Sequence, residues 1–252
     1  MSIFIFLLGT IIGSFLNVCI HRIPKKESIV FPGSHCTYCS TPLKWYDLVP
    51  LLNFLQLKGK CRYCGENISP RYPFVELLNG IVYLLLYLVY GLGIDSIYYG
   101  ILISILIIIF FIDLDHQIIP SILVVIILIW DIIYKFFNFL IYNLPLNLLN
   151  HLSGLAIGFV LFLLIFILSK GGIGGGDIKL IGVFGFVLGI PRIFLNMFIS
   201  FVLGGIISII LLMFKKKKRK DPIAFGPFLI IGFLVSLFWG YEIIHWYIFS
   251  FY

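Results

Sequence analysis

The sequence predicts an all-α polytopic membrane protein with about eight transmembrane helices and one small polar loop subdomain. Three observations predict it. Hydrophobic residues make up 61% of the 252 positions and charged residues only 12%, with a mean hydropathy of +1.12, far from the balance of a soluble domain. Apolar runs recur at the length needed to cross a hydrocarbon core of roughly 30 Å. A single long polar stretch, residues 21–73, interrupts them.

Taken in order, the expected spans are residues 2–20, 74–93, 97–112, 118–141, 152–169, 178–190, 193–214 and 223–248. The first lacks a basic region before its apolar run and is followed by its positive charges, so it reads as a retained span rather than a cleaved leader. The sixth is short, which suits a tilted or partly irregular segment buried in protein. Eight spans with the N-terminus outside put the loops 21–73, 113–117, 170–177 and 215–222 on one side. That side receives all but Lys135 and Arg192 of the 18 Lys and Arg residues, and this asymmetry makes it cytoplasmic. The formal charge of +7 is therefore a matter of topology, and nucleic-acid binding is not expected. The domain division is 1–20 as the first span, 21–73 as the cytoplasmic loop and 74–252 as a multi-span domain.

The loop holds four of the five cysteines. Cys36 and Cys39 form one CxxC pair, and Cys61 and Cys64 form another after 21 intervening residues. Two tight turns that each present two thiolates close a tetrahedral zinc site, and four protein ligands leave no open position, so the role is structural. A reducing cytoplasm argues against the alternative of two disulfides. Gly65 directly after Cys64 suits a metal-binding turn. Cys19, inside the first span, reads as packing, and His21 and His35 as surface groups.

Acids near bilayer depth need a reason, because a carboxylate at the centre of a span costs about 2.5–3.5 kcal/mol. Asp177 ends the run KGGIGGGD, in which Gly174, Gly175 and Gly176 remove the Cβ atoms beside it and let an extended backbone approach closely. Asp113 and Asp115 lie in FIDLDHQIIP, the one acidic loop on an otherwise basic face. The ordinary account of these two is favourable placement at a helix N-terminus. The parity of the spans, however, puts them on the same face as Asp177. Two carboxylates that share a water and a proton can hydrolyse a peptide, one as general base and the other as general acid. The basic run KKKKRK, residues 215–220, reads as a topology anchor on anionic headgroups. AFGPFL, residues 224–229, carries a Gly-Pro break that shapes a cavity wall or kinks a helix. The glycine run lacks the spacing of a phosphate loop.

These motifs together resemble the type IV prepilin peptidases, the prepilin leader peptidase and N-methyltransferase family. GSFLNVCIHRIP, the two CxxC pairs, SPRYPFVELLNG with Arg71 and Glu76, IDLDHQIIP, GGGD and AFGPFL occur in the family's order, and GxGD also names a wider class of intramembrane aspartyl proteases. The resemblance implies that Asp113 and Asp177 are the catalytic pair, with Asp113 preferred to Asp115 because shorter relatives keep the aspartate seven residues before the proline. It implies prepilin or pseudopilin substrates, cut at the cytoplasmic boundary between a basic leader and an apolar helix, and S-adenosyl-L-methionine as donor for methylation of the new N-terminus. Ser121 stands where many members carry Asp or Asn, and the expected effect is on helix capping. Two other classes compete: a non-catalytic membrane scaffold of a pilus or secretion system, which would need neither aspartate, and an ion-coupled transporter, which predicts inverted repeats that the sequence does not display.

Overall fold

The computed structural model describes residues 1–170, 172–215 and 221–251. Gly171 and most of the expected basic anchor, residues 216–220, lie outside the described residues. The regular elements are α-helices: α1 Ser2–Arg22, α2 Leu52–Gln56, α3 Arg71–Tyr90, α4 Ile94–His116, α5 Ser121–Tyr142, α6 Leu148–Leu168, α7 Gly175–Leu188, α8 Arg192–Met213, α9 Gly226–Phe238 and α10 Gly240–Phe251. Among the described residues β pairing is limited to two isolated bridges, His35 with Pro42 and Lys60 with Asn67.

Six helices, α1, α3, α4, α5, α6 and α8, are long and apolar enough to cross a membrane. The segment expected as one last span is instead the pair α9 and α10, bent by 75° at the break. Helix α7 has 14 residues, about 21 Å at 1.5 Å per residue, and so is shorter than the hydrocarbon core. The eight expected segments are thus all helical, six of them full-length, one short and one broken.

The chain forms two compact units, Met1–Ile108 and Ile109–Tyr252. In the first, α1 packs along α3. Buried polar groups of this unit are matched to one another: Asn79 Nδ2 on α3 donates to Gly9 O on α1 (2.7 Å), and Ser104 Oγ on α4 donates to Asn79 Oδ1 (3.1 Å). Interhelical hydrogen bonds of this kind serve as adhesive where the apolar driving force is absent. The polar loop is tied down by Arg22, which donates to Ser28 O and Gly33 O, and by Leu51 N–H, which donates to the buried Glu76 (2.9 Å).

In the second unit the short α7 is central, with α5, α6, α8 and α9 all packed against it. Every residue from Asp177 to Leu188 except Lys179 is buried. Its approach to α6 is backbone to backbone: a Cβ on Gly154 would lie 2.3 Å from Gly185 O, and one on Gly185 2.1 Å from Gly154 O. Gly154 and Gly158 are spaced as a small-xxx-small pair, which allows such contact between helices in lipid. Against α9, Phe184 stacks on Phe233 with centroids 4.0 Å apart.

Because α7 is short, its last carbonyls would end without partners where water is scarce. Three cationic or imidazole side chains supply them. Lys135 Nζ donates to Phe186 O (3.0 Å), His151 Nδ1 to Phe186 O (2.8 Å) and Arg192 Nε to Leu188 O (3.0 Å). Lys135 is also ion-paired with the buried Asp131. The two basic residues that stood apart in the charge pattern, Lys135 and Arg192, therefore meet at the end of α7 opposite Asp177.

Candidate active site and metal centre

Asp113 lies in the last turn of α4, three residues before its end at His116, where the macrodipole is negative and disfavours a carboxylate. The ordinary account, favourable placement at the N-terminus of its own helix, therefore does not hold for Asp113. The compensation comes from another element. The first residue of α9, Gly226, donates its buried N–H to Asp113 Oδ2 at 2.9 Å, so Asp113 faces the positive end of α9. A Cβ at this position would sit 2.7 Å from that same oxygen, so any larger residue would push the Asp113 carboxylate aside.

Asp177 occupies the first turn of α7. Its Oδ2 accepts the N–H of Gly174 at 3.2 Å, and its own N–H donates to Gly174 O at 3.1 Å. Asp177 Oδ1 is buried and has no hydrogen-bond partner among the described residues. Asp113 and Asp177 are 4% and 7% exposed and close enough for the charge of one to act on the other. Asp115 is exposed; two residues along a helix, it cannot share the face that Asp113 presents.

Ile119 holds these pieces in register. It lies against Gly176, where a Cβ would be 2.9 Å from Ile119 Cβ, and its Cδ1 is 3.2 Å from the Cβ position of Gly226. The space left by Gly176 is thus filled from within the protein, whereas beyond Gly175 none of the described residues lies within 4 Å of a Cβ position. Gln117 Nε2 donates to Pro222 O (3.1 Å) and Lys179 Nζ to Ser121 Oγ (3.0 Å). Ser121 is the first residue of α5, after the N-cap Pro120, so it is not the capping position, and its hydroxyl is engaged by Lys179. Motif reading missed Gly226 N–H, Ile119 and the Lys179–Ser121 bond. The Gly-Pro step at the start of α9 was the one signal available for the first.

In the loop, the four Sγ atoms of Cys36, Cys39, Cys61 and Cys64 lie within 4.8 Å of one another, and those of Cys36 and Cys64 are 3.9 Å apart. Thiolates on a tetrahedron at the zinc–sulfur distance of about 2.3 Å are about 3.8 Å apart, so the donor set fits zinc. The two halves repeat one pattern. Cys36 N–H donates to Thr41 O and Ser40 N–H to Cys36 O; Cys61 N–H donates to Glu66 O and Gly65 N–H to Cys61 O. Ser40 and Gly65, each just after the second cysteine of its pair, both have positive φ. Hydrogen bonds from Thr41 hold the Cys39 thiol down to about 6, in the thiolate form that binds metal. A backbone hydrogen bond at Glu66 favours the Cys64 thiolate, yet desolvation and the neighbouring thiols push it up to about 12. A divalent cation relieves this crowding.

The comparison with known proteins agrees with this arrangement of motifs. The bacterial peptidase A24 N-terminal domain matches residues 7–90, and the type IV leader peptidase family matches residues 100–209. A Bacillus subtilis (strain 168) protein named prepilin leader peptidase/N-methyltransferase is 32% identical over 248 residues, covering 97% of this chain and 96% of its own. The chain belongs to the type IV leader peptidase family. A Legionella pneumophila protein of the same name is 36% identical over 262 residues, covering 94% of this chain and 91% of its own, and one from Myxococcus xanthus (strain DK1622) is 34% identical over 220 residues, covering 84% and 63%. No solved structure matches significantly. As a member of this family with six full-length apolar helices, the protein is an integral membrane protein.

Proposed function

We propose that this protein is a membrane aspartyl endopeptidase that removes the basic leader of type IV prepilins or pseudopilins, with Asp113 and Asp177 as its catalytic pair. The observation that carries the reading is the buried, unpartnered Oδ1 of Asp177 beside the charge of Asp113. A buried carboxyl oxygen without a donor is costly in a structural role and is what a water or a scissile carbonyl would satisfy. One carboxylate takes a proton from water, the oxygen of that water bonds to the scissile carbonyl carbon, and the other carboxyl donates its proton. Collapse then releases the apolar helix with a free amine. Open space beyond Gly175 gives the substrate backbone a place beside Asp177, with Gly174 and Asp115 at its edge. A scaffold reading gives no reason for either buried acid.

Methylation of the new N-terminus with S-adenosyl-L-methionine is supported by the name of the relatives. The four cysteines hold structural zinc, supported by their spacing and the repeated turns. The orientation, with the N-terminus outside and both the loop and the aspartates at the cytoplasmic face of the cytoplasmic membrane, is supported by the one-sided basic residues. Residues 1–20, 21–73 and 74–252 serve as first span, zinc loop and peptidase domain.

The test is incubation of the purified protein with a model substrate, a basic leader ending in glycine before an apolar helix, followed by mass spectrometry. Asp113→Ala and Asp177→Ala should each lose about 10²–10⁴-fold in rate, the usual contribution of a general acid or base, and Asp115→Ala should cleave nearly normally. Retained cleavage in either of the first two variants removes that residue from the pair. A gain of one methylene in the presence of S-adenosyl-L-methionine establishes the second activity.

A further inference from the structure

We infer that the N-terminus of α9, acting through Gly226 N–H, divides the labour of the aspartate pair: Asp113 is the ionised base and Asp177 the protonated acid. The inference rests on the peptidase reading and goes beyond it by giving each carboxyl one role and by making Gly226 a positioning residue.

The argument is one of partners. Asp113 Oδ2 receives a buried N–H at 2.9 Å from the first residue of the 13-residue α9; since Asp177 also lies at a helix N-terminus, that of α7, the dipoles do not separate the two carboxyls, and the hydrogen bonds do. Hydrogen bonding to the charged form stabilises it. Asp177 also accepts one N–H, the longer bond from Gly174, but only at Oδ2. Its Oδ1 is buried without a donor, the position at which a negative charge is least supported and a proton best placed. Two neighbouring carboxylates cannot both ionise cheaply, so the better-solvated one keeps the charge and the other keeps the proton.

Among the described residues, the charges of α5, α6 and α8 that reach α7, Asp131, Lys135, His151 and Arg192, lie at its opposite end, and none on α4, α7 or α9 near the pair reverses this assignment. Helix α9, GPFLIIGFLVSLF, carries no ionisable side chain. On α7 the ionisable residues are Asp177 and Lys179, and the Lys179 ammonium is engaged by Ser121. On α4, Asp115 and His116 are exposed. The carboxylate of Asp113 would take the proton of the attacking water, and Asp177 would give its own proton to the carbonyl oxygen as the carbon–oxygen bond forms. As the carbon–nitrogen bond breaks, the proton on Asp113 goes to the leaving nitrogen and a hydroxyl proton of the tetrahedral intermediate returns to Asp177, which restores the starting protonation of the pair.

Two reagents of opposite demand read the assignment directly in the unmodified protein at a pH where it cleaves. An epoxide, p-nitrophenyl glycidyl ether, is opened by an ionised carboxylate, forming an ester while the ring oxygen takes a proton from water. Diphenyldiazomethane requires a protonated carboxyl, which transfers its proton to the diazo carbon, loses dinitrogen and leaves the ester. Peptide mapping should find the epoxide-derived ester on Asp113 and the diazo-derived ester on Asp177, each with about tenfold or greater preference, the ratio set by one unit of separation between the sites. Gly226→Ala, whose Cβ would displace the Asp113 carboxylate, should erode both preferences and move the acid limb of the kcat/KM profile upward by about one pH unit. Exchanged labels, equal labelling of both residues by either reagent, or no ester at either aspartate overturns the assignment. Failure of the peptidase reading shows separately, as retained cleavage in Asp113→Ala or Asp177→Ala.

Discussion

Replacing Lys135 by methionine tests why α7 can end short. The side chain of Asp131 is 2% exposed and that of Lys135 17%, so the ion pair is almost wholly removed from water. Its ammonium also donates to Phe186 O at 3.0 Å and reaches Val187 O at 3.5 Å. Removing one partner of a buried pair costs about 3–5 kcal/mol, because the remaining charge keeps its desolvation penalty. Losing the carbonyl contacts adds only about 0.6 kcal/mol each, the average for such bonds between membrane helices. The charge term therefore dominates. Lys135→Met should destabilise the protein by about 3–5 kcal/mol, while Asp131→Asn with Lys135→Met should recover most of it, leaving about 1–2 kcal/mol for the lost carbonyl contacts. Denaturation of the three proteins in mixed micelles, followed by circular dichroism, measures both differences. Equal destabilisation of the single and double variants would refute the argument, since the carbonyl contacts rather than the charge would then be decisive.

At the α6–α7 contact, Gly154→Ala places a Cβ 2.3 Å from Gly185 O and should cost at least about 1–3 kcal/mol by overpacking. Gly205→Ala, with nothing within 4 Å of its Cβ position, should leave the thermal midpoint unchanged or raise it. Elemental analysis should find one zinc per chain, lost in Cys61→Ser, with the loop then cut readily by added protease. Ser121→Ala removes an exposed hydrogen bond to Lys179 and should alter kcat/KM by no more than about fivefold, near 1 kcal/mol; a loss as large as that of Asp177→Ala would give Ser121 a chemical role.

The helices were readable because apolar runs of span length are a strong and local signal. The cysteine site was readable for a related reason, since two CxxC pairs need only a hairpin each to present their thiolates. The aspartates stood out by being in the wrong solvent. Reading went astray where partners are distant in sequence. The spans place Asp113 at the end of α4, as found, but nothing along the chain shows that it borrows the N-terminus of α9. Ser121 has the chemistry of a cap, but Pro120 takes that position and Lys179 engages its hydroxyl. The last segment reads as a continuous span because averaging over apolar residues does not register a bend at Trp239.

Sequence by itself determined that this chain is a bundle of apolar helices with a four-cysteine loop and a few acids that demand a function, because composition and short-range spacing decide what can be solvated by lipid and what can close a turn. Only the tertiary structure decided which acid meets Asp177, how the short α7 has its carbonyls satisfied, and which backbone N–H orients Asp113. Those outcomes depend on groups such as Asp113 and Gly226, 113 residues apart, whose meeting is settled by the packing of whole helices and leaves no local pattern along the chain.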